Sequence, residues 1–122
     1  MKLYLSKEFN FDSAHNLIHY HGKCENLHGH TYKLKVTLSG TPDAHDGMII
    51  DFGILKKIVE DKIISRLDHN YLNNLVPLST AENLVQWIWD ELEPCLRDDR
   101  YSLHELVLWE TATSSVTLNR GC

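Results

Sequence analysis

The stretch HGHTYKLKVTL, residues 28–38, carries the strongest structural signal in the sequence. Its second part alternates apolar residues with Lys and Thr, and the apolar members are Tyr32, Leu34, Val36 and Leu38. A period of two predicts a β-strand with one buried face. The same parity extends back to His28 and His30, so both imidazoles are expected on the buried face.

Strands are predicted on both sides of this segment. Loose alternation predicts a first strand from about Leu3 to about Asp12, with His15 just past its end. The residues MIID, 48–51, are read as a short strand that forms a hairpin with the HGH strand. Near the end of the chain, HELVLWET and SSVTLN are rich in β-branched and aromatic residues and predict a closing pair of strands.

Two helices are predicted in the middle of the chain. Asp51 is a suitable N-cap for an apolar pattern of helical spacing that ends near Leu67. Ser79 and Glu82 fit a capping box for a second helix that ends at about Leu96. The order ββααββ indicates an α+β fold, with an antiparallel sheet and both helices on one face.

Length and composition define the class of protein. The chain has 122 residues, 43% hydrophobic and 24% charged, as expected of a single domain spanning 1–122. A net charge of −5 disfavours nucleic acid as a partner. No apolar run approaches the roughly 18 residues of a membrane helix, and the first residues lack the features of a signal peptide, so we expect a cytoplasmic protein without a membrane partner. The small size favours an oligomer, because a substrate pocket would need a neighbouring subunit.

The histidine pair of the HGH motif suggests a metal site. Side chains at i and i+2 of a strand project to the same side, so His28 and His30 can share one cation. His15 is the best-placed third donor if the first strand pairs with the second. Three imidazoles would leave a tetrahedral zinc ion with one open position, as in catalytic sites. The alternative is that HGH is a turn with ordinary polar histidines.

Other residues with possible chemical roles leave several interpretations open. Cys24 could serve as a base or nucleophile, as a fourth zinc ligand, or as an inert loop thiol. Asp68 could orient His69 for proton transfer, or it could cap a loop beside a solvated histidine. Glu110 lies in an otherwise apolar strand and needs a partner, either structural or a guanidine-like edge of a substrate.

Six motifs in chain order resemble one enzyme family: FDSAH, CENLHGH, MIIDFGILK, LDHNYLN, STAENL and WET. The sequence is similar over nearly its whole length to the 6-pyruvoyltetrahydropterin synthase family. The resemblance implies the tunnelling fold, a four-stranded antiparallel sheet with two helices on one face. It also implies assembly into barrels, commonly homohexamers, with active sites between subunits.

The resemblance also implies a role for each candidate residue. His15, His28 and His30 correspond to the zinc ligands, and Cys24 to the catalytic thiol. Asp68 and His69 correspond to its proton-relay partners. Glu110 corresponds to the carboxylate that anchors the pterin ring. The implied substrate, a pterin triphosphate, needs positive charge in an acidic protein, and Lys23, Arg66 or a neighbouring subunit would have to supply it.

The spacing within CENLHGH bears on the reaction. Three residues separate Cys24 from HGH, as is typical of the branch that converts 7,8-dihydroneopterin triphosphate to 6-carboxy-5,6,7,8-tetrahydropterin for queuosine biosynthesis. Glu25 also satisfies the ExxHGH pattern of a folate-linked branch, so release of 6-hydroxymethyl-dihydropterin is an alternative, as is 6-pyruvoyltetrahydropterin formation. A pterin- or zinc-binding module without catalysis is the non-enzyme alternative.

Overall fold

A five-stranded sheet packs against a layer of helices in the computed structural model. The structure describes residues 1–17, 22 and 26–121. The strands are β1 (Leu3–His15), β2 (His28–Gly40), β3 (Asn70–Tyr71), β4 (Tyr101–Thr111) and β5 (Ser114–Asn119). Their order in the sheet is β3-β1-β2-β4-β5. All neighbouring pairs are antiparallel except β1 and β3, which run parallel. The α+β class is therefore confirmed, but the predicted four-stranded, purely antiparallel sheet is wrong.

The helical layer contains two longer segments. The first begins with α1 (Phe52–Val59), continues as a π-helix (Glu60–Ile64) and ends with α2 (Ser65–Leu67). Asp51 caps it as predicted, because its carboxylate accepts a hydrogen bond from the Gly53 N–H at 2.6 Å. The second is α3 (Ala81–Leu92), which a 3₁₀ turn (Glu93–Cys95) extends.

Three details of the sequence-based interpretation are wrong. The residues of MIID do not form a strand, and β2 pairs with β1 and β4 instead. The cap of α3 is Thr80 rather than Ser79, because the Thr80 hydroxyl accepts a hydrogen bond from the Asn83 N–H at 3.2 Å. The strand β3 was missed, since two residues are too short to show a period.

The alternation of β2 determines which side chains form the core. From Tyr32 to Leu38, every second residue is fully buried against the helices. The paired strands contribute Phe9 and Phe11 from β1 and Leu106 and Leu108 from β4, and the helices contribute the stripe Leu84, Ile88 and Leu92. No helix of the described residues is long and apolar enough to cross a membrane.

Candidate metal centre and its neighbouring polar cluster

Three imidazoles converge at one end of the β1–β2 pair. His15 is the last residue of β1, rather than just past its end as predicted, and lies opposite His28, the first residue of β2. His30 lies two residues further along β2 and therefore projects from the same face. The ring centroids are 4.6 to 5.1 Å apart, and one nitrogen from each ring lies within 4.8 Å of the others. The sheet register thus brings together the three histidines that the sequence singled out.

The hydrogen bonds of these rings leave nitrogen lone pairs free. The Nδ1 atom of His15 donates to the Ser79 carbonyl at 2.7 Å, and that of His28 donates to the Asn26 carbonyl at 2.7 Å. Each ring is therefore in the tautomer whose Nε2 is an acceptor. The Nε2 atoms of His15 and His30 are buried and have no hydrogen-bond partner among the described residues. Because a buried unpaired nitrogen is unfavourable, this donor set fits a metal ion.

Electrostatics favour the neutral form of His30, which a metal ligand requires. Burial lowers the pKa of this imidazole. The Glu110 carboxylate opposes the effect, whereas His15 and His28 lower the pKa further. The net direction is downward, so the ring binds a proton less readily than a solvated histidine.

Glu110 lies beside the imidazoles rather than at a distance from them. Its carboxylate oxygens are 3.8 Å from the Nε2 atom of His15 and 3.6 Å from that of His30. It is 28% exposed and lines a cleft of about 330 Å³ that also contains Thr80, Glu82 and Ser115. A carboxylate in this position can receive a hydrogen bond from a ligand that enters the cleft.

A second polar cluster lies at the outer edge of β1. One Asp68 carboxylate oxygen accepts the Asp12 N–H at 2.9 Å, and the other lies 3.0 Å from the Nδ1 atom of His69. The His69 N–H donates to the Asp12 carbonyl at 2.6 Å, which holds His69 in the left-handed region at φ 54°. The Asp12 N–H lowers the pKa of Asp68, and His69 lowers it further. Asp68 therefore stays ionised and orients an imidazole that is 79% exposed.

In the part of the chain that the structure describes, this cluster makes no direct contact with the three imidazoles, although His30 and His69 both line one cleft of about 820 Å³. Asp12 and His15 are three residues apart on β1, so their side chains project from opposite faces of the sheet. Among the described residues, no hydrogen bond, ion pair or ring contact joins Asp68 or His69 to the imidazoles of His15, His28 and His30. Cys24, Glu25 and Lys23 lie outside the described residues, so their predicted roles remain predictions.

Arg66 is engaged elsewhere. Its guanidinium lies 3.1 Å from a Glu91 carboxylate oxygen and stacks 4.7 Å from the centre of the Trp87 ring. Arg66 thus has an acidic and an aromatic partner within its own chain, and its contact with a triphosphate stays a prediction.

The family follows from comparison with known proteins. A sequence model described as 6-pyruvoyl tetrahydropterin synthase matches residues 4–121. The chain belongs to this family. The family's 6-carboxy-5,6,7,8-tetrahydropterin synthase from Haemophilus influenzae is 38% identical and aligns over 90% of this chain and 94% of its own. The dihydroneopterin monophosphate aldolase of Pyrococcus furiosus is 36% identical, over 90% of this chain and 91% of its own.

The fold of the 6-pyruvoyl tetrahydropterin synthase family extends over the whole chain. The structure of the Caenorhabditis elegans 6-pyruvoyl tetrahydropterin synthase superposes with a TM-score of 0.87 and 25% identity. The superposition covers 99% of this chain and 97% of that one.

Two residues near the imidazoles were not singled out by the sequence analysis. Ser79 was assigned to a capping box, but its carbonyl is the hydrogen-bond acceptor of His15. Asn73 has no role assigned from the sequence, but it contacts both Ser79 and the residue after His15. Both lie in motifs that carry the family resemblance, LDHNYLN and STAENL. Their place in these motifs is the sequence signal that could have identified them.

Proposed function

We propose that the protein is a zinc-dependent lyase that converts 7,8-dihydroneopterin triphosphate and one water molecule to 6-carboxy-5,6,7,8-tetrahydropterin, acetaldehyde and triphosphate in queuosine biosynthesis. The observation that carries the proposal is the trio of imidazoles with two buried, unpaired Nε2 atoms beside the Glu110 carboxylate. The similarity to a bacterial synthase of this name over most of both chains supports it.

His15, His28 and His30 would hold the zinc ion. When bound, zinc acts as a Lewis acid that makes the hydroxyls of the substrate side chain more acidic. The tautomers of His15 and His28 suit this role. Their Nδ1 protons are donated to backbone carbonyls, which leaves the Nε2 lone pairs available to bind a metal.

Glu110 is proposed as the group that binds the pterin. A carboxylate accepts two parallel hydrogen bonds from an amino-pyrimidinone edge, as it does from arginine. Glu82 lines the same cleft and offers a second carboxylate for this contact. Glu110 is also close enough to His15 and His30 to orient a substrate hydroxyl at the metal.

Proton transfer is assigned to Cys24, Asp68 and His69. The Cys24 thiolate would remove a proton from the carbon next to the ring. Asp68 binds the Nδ1 side of His69 and leaves the other nitrogen free to exchange a proton. Because this pair has no direct contact with the imidazoles of its own chain among the described residues, we propose that it serves the metal centre of a neighbouring subunit in a homohexamer.

The alternative reaction releases 6-hydroxymethyl-dihydropterin. Glu25 occupies the acid position of the ExxHGH pattern, and the chain is similar to an aldolase that acts on a dihydroneopterin phosphate, as its name states. In that case Glu25, rather than Cys24, would transfer the proton.

Product analysis separates these functions. Zinc-loaded protein is incubated with 7,8-dihydroneopterin triphosphate, and the products are identified by mass spectrometry alongside an acetaldehyde assay. We expect carboxytetrahydropterin and acetaldehyde in equal amounts. Hydroxymethyl-dihydropterin would establish the aldolase reaction instead, and unchanged substrate would favour a binding module.

Substitution of the adjacent residues Cys24 and Glu25 provides the matched pair. Cys24→Ala should retain zinc and lower kcat by about 10²-fold to 10⁴-fold, since it removes the group that transfers the proton. Glu25→Gln should retain most of the activity. The reverse result, full turnover in Cys24→Ala and loss in Glu25→Gln, would contradict the assignment of the thiol.

A further inference from the structure

His15 depends on a contact that its own strand does not supply. Its side chain is almost entirely buried, and its Nδ1 proton goes to the carbonyl of Ser79. Ser79 is fully buried and directly precedes Thr80, the cap of α3. The orientation of this imidazole is therefore set by the short segment that leads into α3.

Asn73 fixes that segment. Its side-chain oxygen accepts the Asn16 N–H at 3.1 Å and the Ser79 hydroxyl at 2.9 Å. Its side-chain nitrogen donates to the Asn16 carbonyl at 2.8 Å and to the Pro77 carbonyl at 3.0 Å. One amide thus uses all four of its hydrogen-bonding positions to join the residue after His15 to the segment 77–79.

We infer that Asn73 is a positioning residue of the metal centre, because it holds the Ser79 carbonyl against the Nδ1 atom of His15. The inference rests on the proposed function, in which His15 binds zinc through Nε2. An acceptor on the far nitrogen of a ligating histidine fixes its tautomer and raises its basicity, and its loss commonly lowers metal affinity by about 10-fold to 100-fold.

The test measures metal binding directly. Zinc affinity is determined by competition with a chromogenic chelator, and the absorption spectrum of the Co²⁺-substituted protein reports the ligand field. We expect Asn73→Ala to weaken zinc binding by about 10-fold to 100-fold and to alter the Co²⁺ bands. Zinc affinity and Co²⁺ spectrum equal to those of wild type would overturn the inference.

Asn83→Ala is the matched control. The Asn83 side chain also joins this segment to α3, since it donates to the Leu78 carbonyl at 3.0 Å, but it contacts neither Ser79 nor His15 among the described residues. We expect its zinc affinity to equal that of wild type, even if the zinc-free protein loses stability. Equal losses of zinc affinity in Asn73→Ala and Asn83→Ala would show a general structural effect and overturn the inference.

Ser79→Ala tests the path from Asn73 to His15. It removes the hydroxyl that donates to Asn73 and that also lies 3.3 Å from the Nδ1 atom of His15, and it leaves the carbonyl in place, so we expect a smaller loss of zinc affinity than in Asn73→Ala. The two losses should add incompletely in the double variant, since each single variant already lacks the bond between Asn73 and Ser79. If Asn73→Ala does not fold, Ser79→Ala carries the test, and wild-type zinc affinity there would overturn the inference.

The inference and the proposed function fail in different ways. A wild-type protein that binds no zinc overturns both, because His15 then has no metal to bind. A wild-type protein that binds zinc and turns over substrate, together with an Asn73→Ala variant of unchanged affinity, overturns the inference alone.

Discussion

At the scale of single residues, the Tyr32 hydroxyl is the one buried polar side-chain atom of the described residues that lacks a hydrogen-bond partner and that the proposed metal ion would not pair. Tyr32 is fully buried between the imidazole of His30 and the core, and it stacks on Phe11 with ring centroids 5.0 Å apart. Its hydroxyl has no hydrogen-bond partner among the described residues. Burial raises the pKa of this phenol, and the Glu110 carboxylate raises it further, so the group is neutral.

Tyr32→Phe is therefore expected to preserve or increase the stability of the zinc-free protein. Leaving a buried hydroxyl without a partner costs about 1–3 kcal/mol, and the substitution removes that cost while keeping the ring. Chemical unfolding of the two zinc-free proteins measures the difference. A decrease of more than about 1 kcal/mol in the free energy of unfolding would show that the hydroxyl has a partner, such as a buried water molecule.

At the scale of secondary structure, the two glycines of β2 differ in what surrounds them. A Cβ atom on Gly40, at the end of the strand, would collide with the Arg100 carbonyl oxygen and lie 2.8 Å from the Cβ atom of Tyr101. A Cβ atom on Gly29, between the two histidines, would lie 3.5 Å from the Ser13 carbonyl oxygen, which is ordinary contact.

Gly40→Ala should consequently destabilise the protein, while Gly29→Ala should not. Overpacking against backbone atoms commonly costs about 1–3 kcal/mol, and the connection before β4 cannot retreat without breaking the Thr41 N–H to Arg100 carbonyl bond. Thermal unfolding of the two variants provides the comparison. Equal melting temperatures for Gly40→Ala and wild type would contradict the predicted close approach.

At the scale of the whole molecule, the two halves of the proposed site line one cleft but make no direct contact among the described residues of one chain. The imidazoles face the helical layer, whereas His69 lies at the outer edge of β1 beside Asp12. β1 pairs with β3 only at Ser13 and Ala14. Much of that edge thus presents unpaired backbone groups within the chain, as does the outer edge of β5. Such edges favour assembly with further copies.

Mixing of two inactive variants tests whether sites form between subunits. Cys24→Ala and His69→Ala oligomers, each inactive alone, are unfolded together in equal amounts and refolded. If Cys24 and His69 of one site come from different subunits, random assembly restores about a quarter of the sites. Activity near that fraction supports sites shared between subunits, and no recovery in mixed oligomers verified by native mass spectrometry contradicts it.

The sequence predicted the features that follow from local periodicity, but it did not predict the contacts between residues that lie far apart in the chain. Alternation along β2 placed His28 and His30 on the buried face, and the capping preference of Asp51 identified the start of the first helix. The location of Asp68 depends on its bond to the Asp12 N–H, 56 residues away, and no local period encodes that. The same holds for the Ser79 carbonyl, since Ser79 lies 64 residues from His15.

The register that pairs His15 with His28 has a practical consequence for any preparation of the protein. A slip of one residue between β1 and β2 would turn His15 to the other face of the sheet, together with Phe9 and Phe11. If His15 binds zinc as proposed, a molecule with this slip would lose both its metal ion and the packing of its core. Zinc bound per chain would then count the correctly folded molecules, which makes metal analysis a purity assay for refolded or mutant protein.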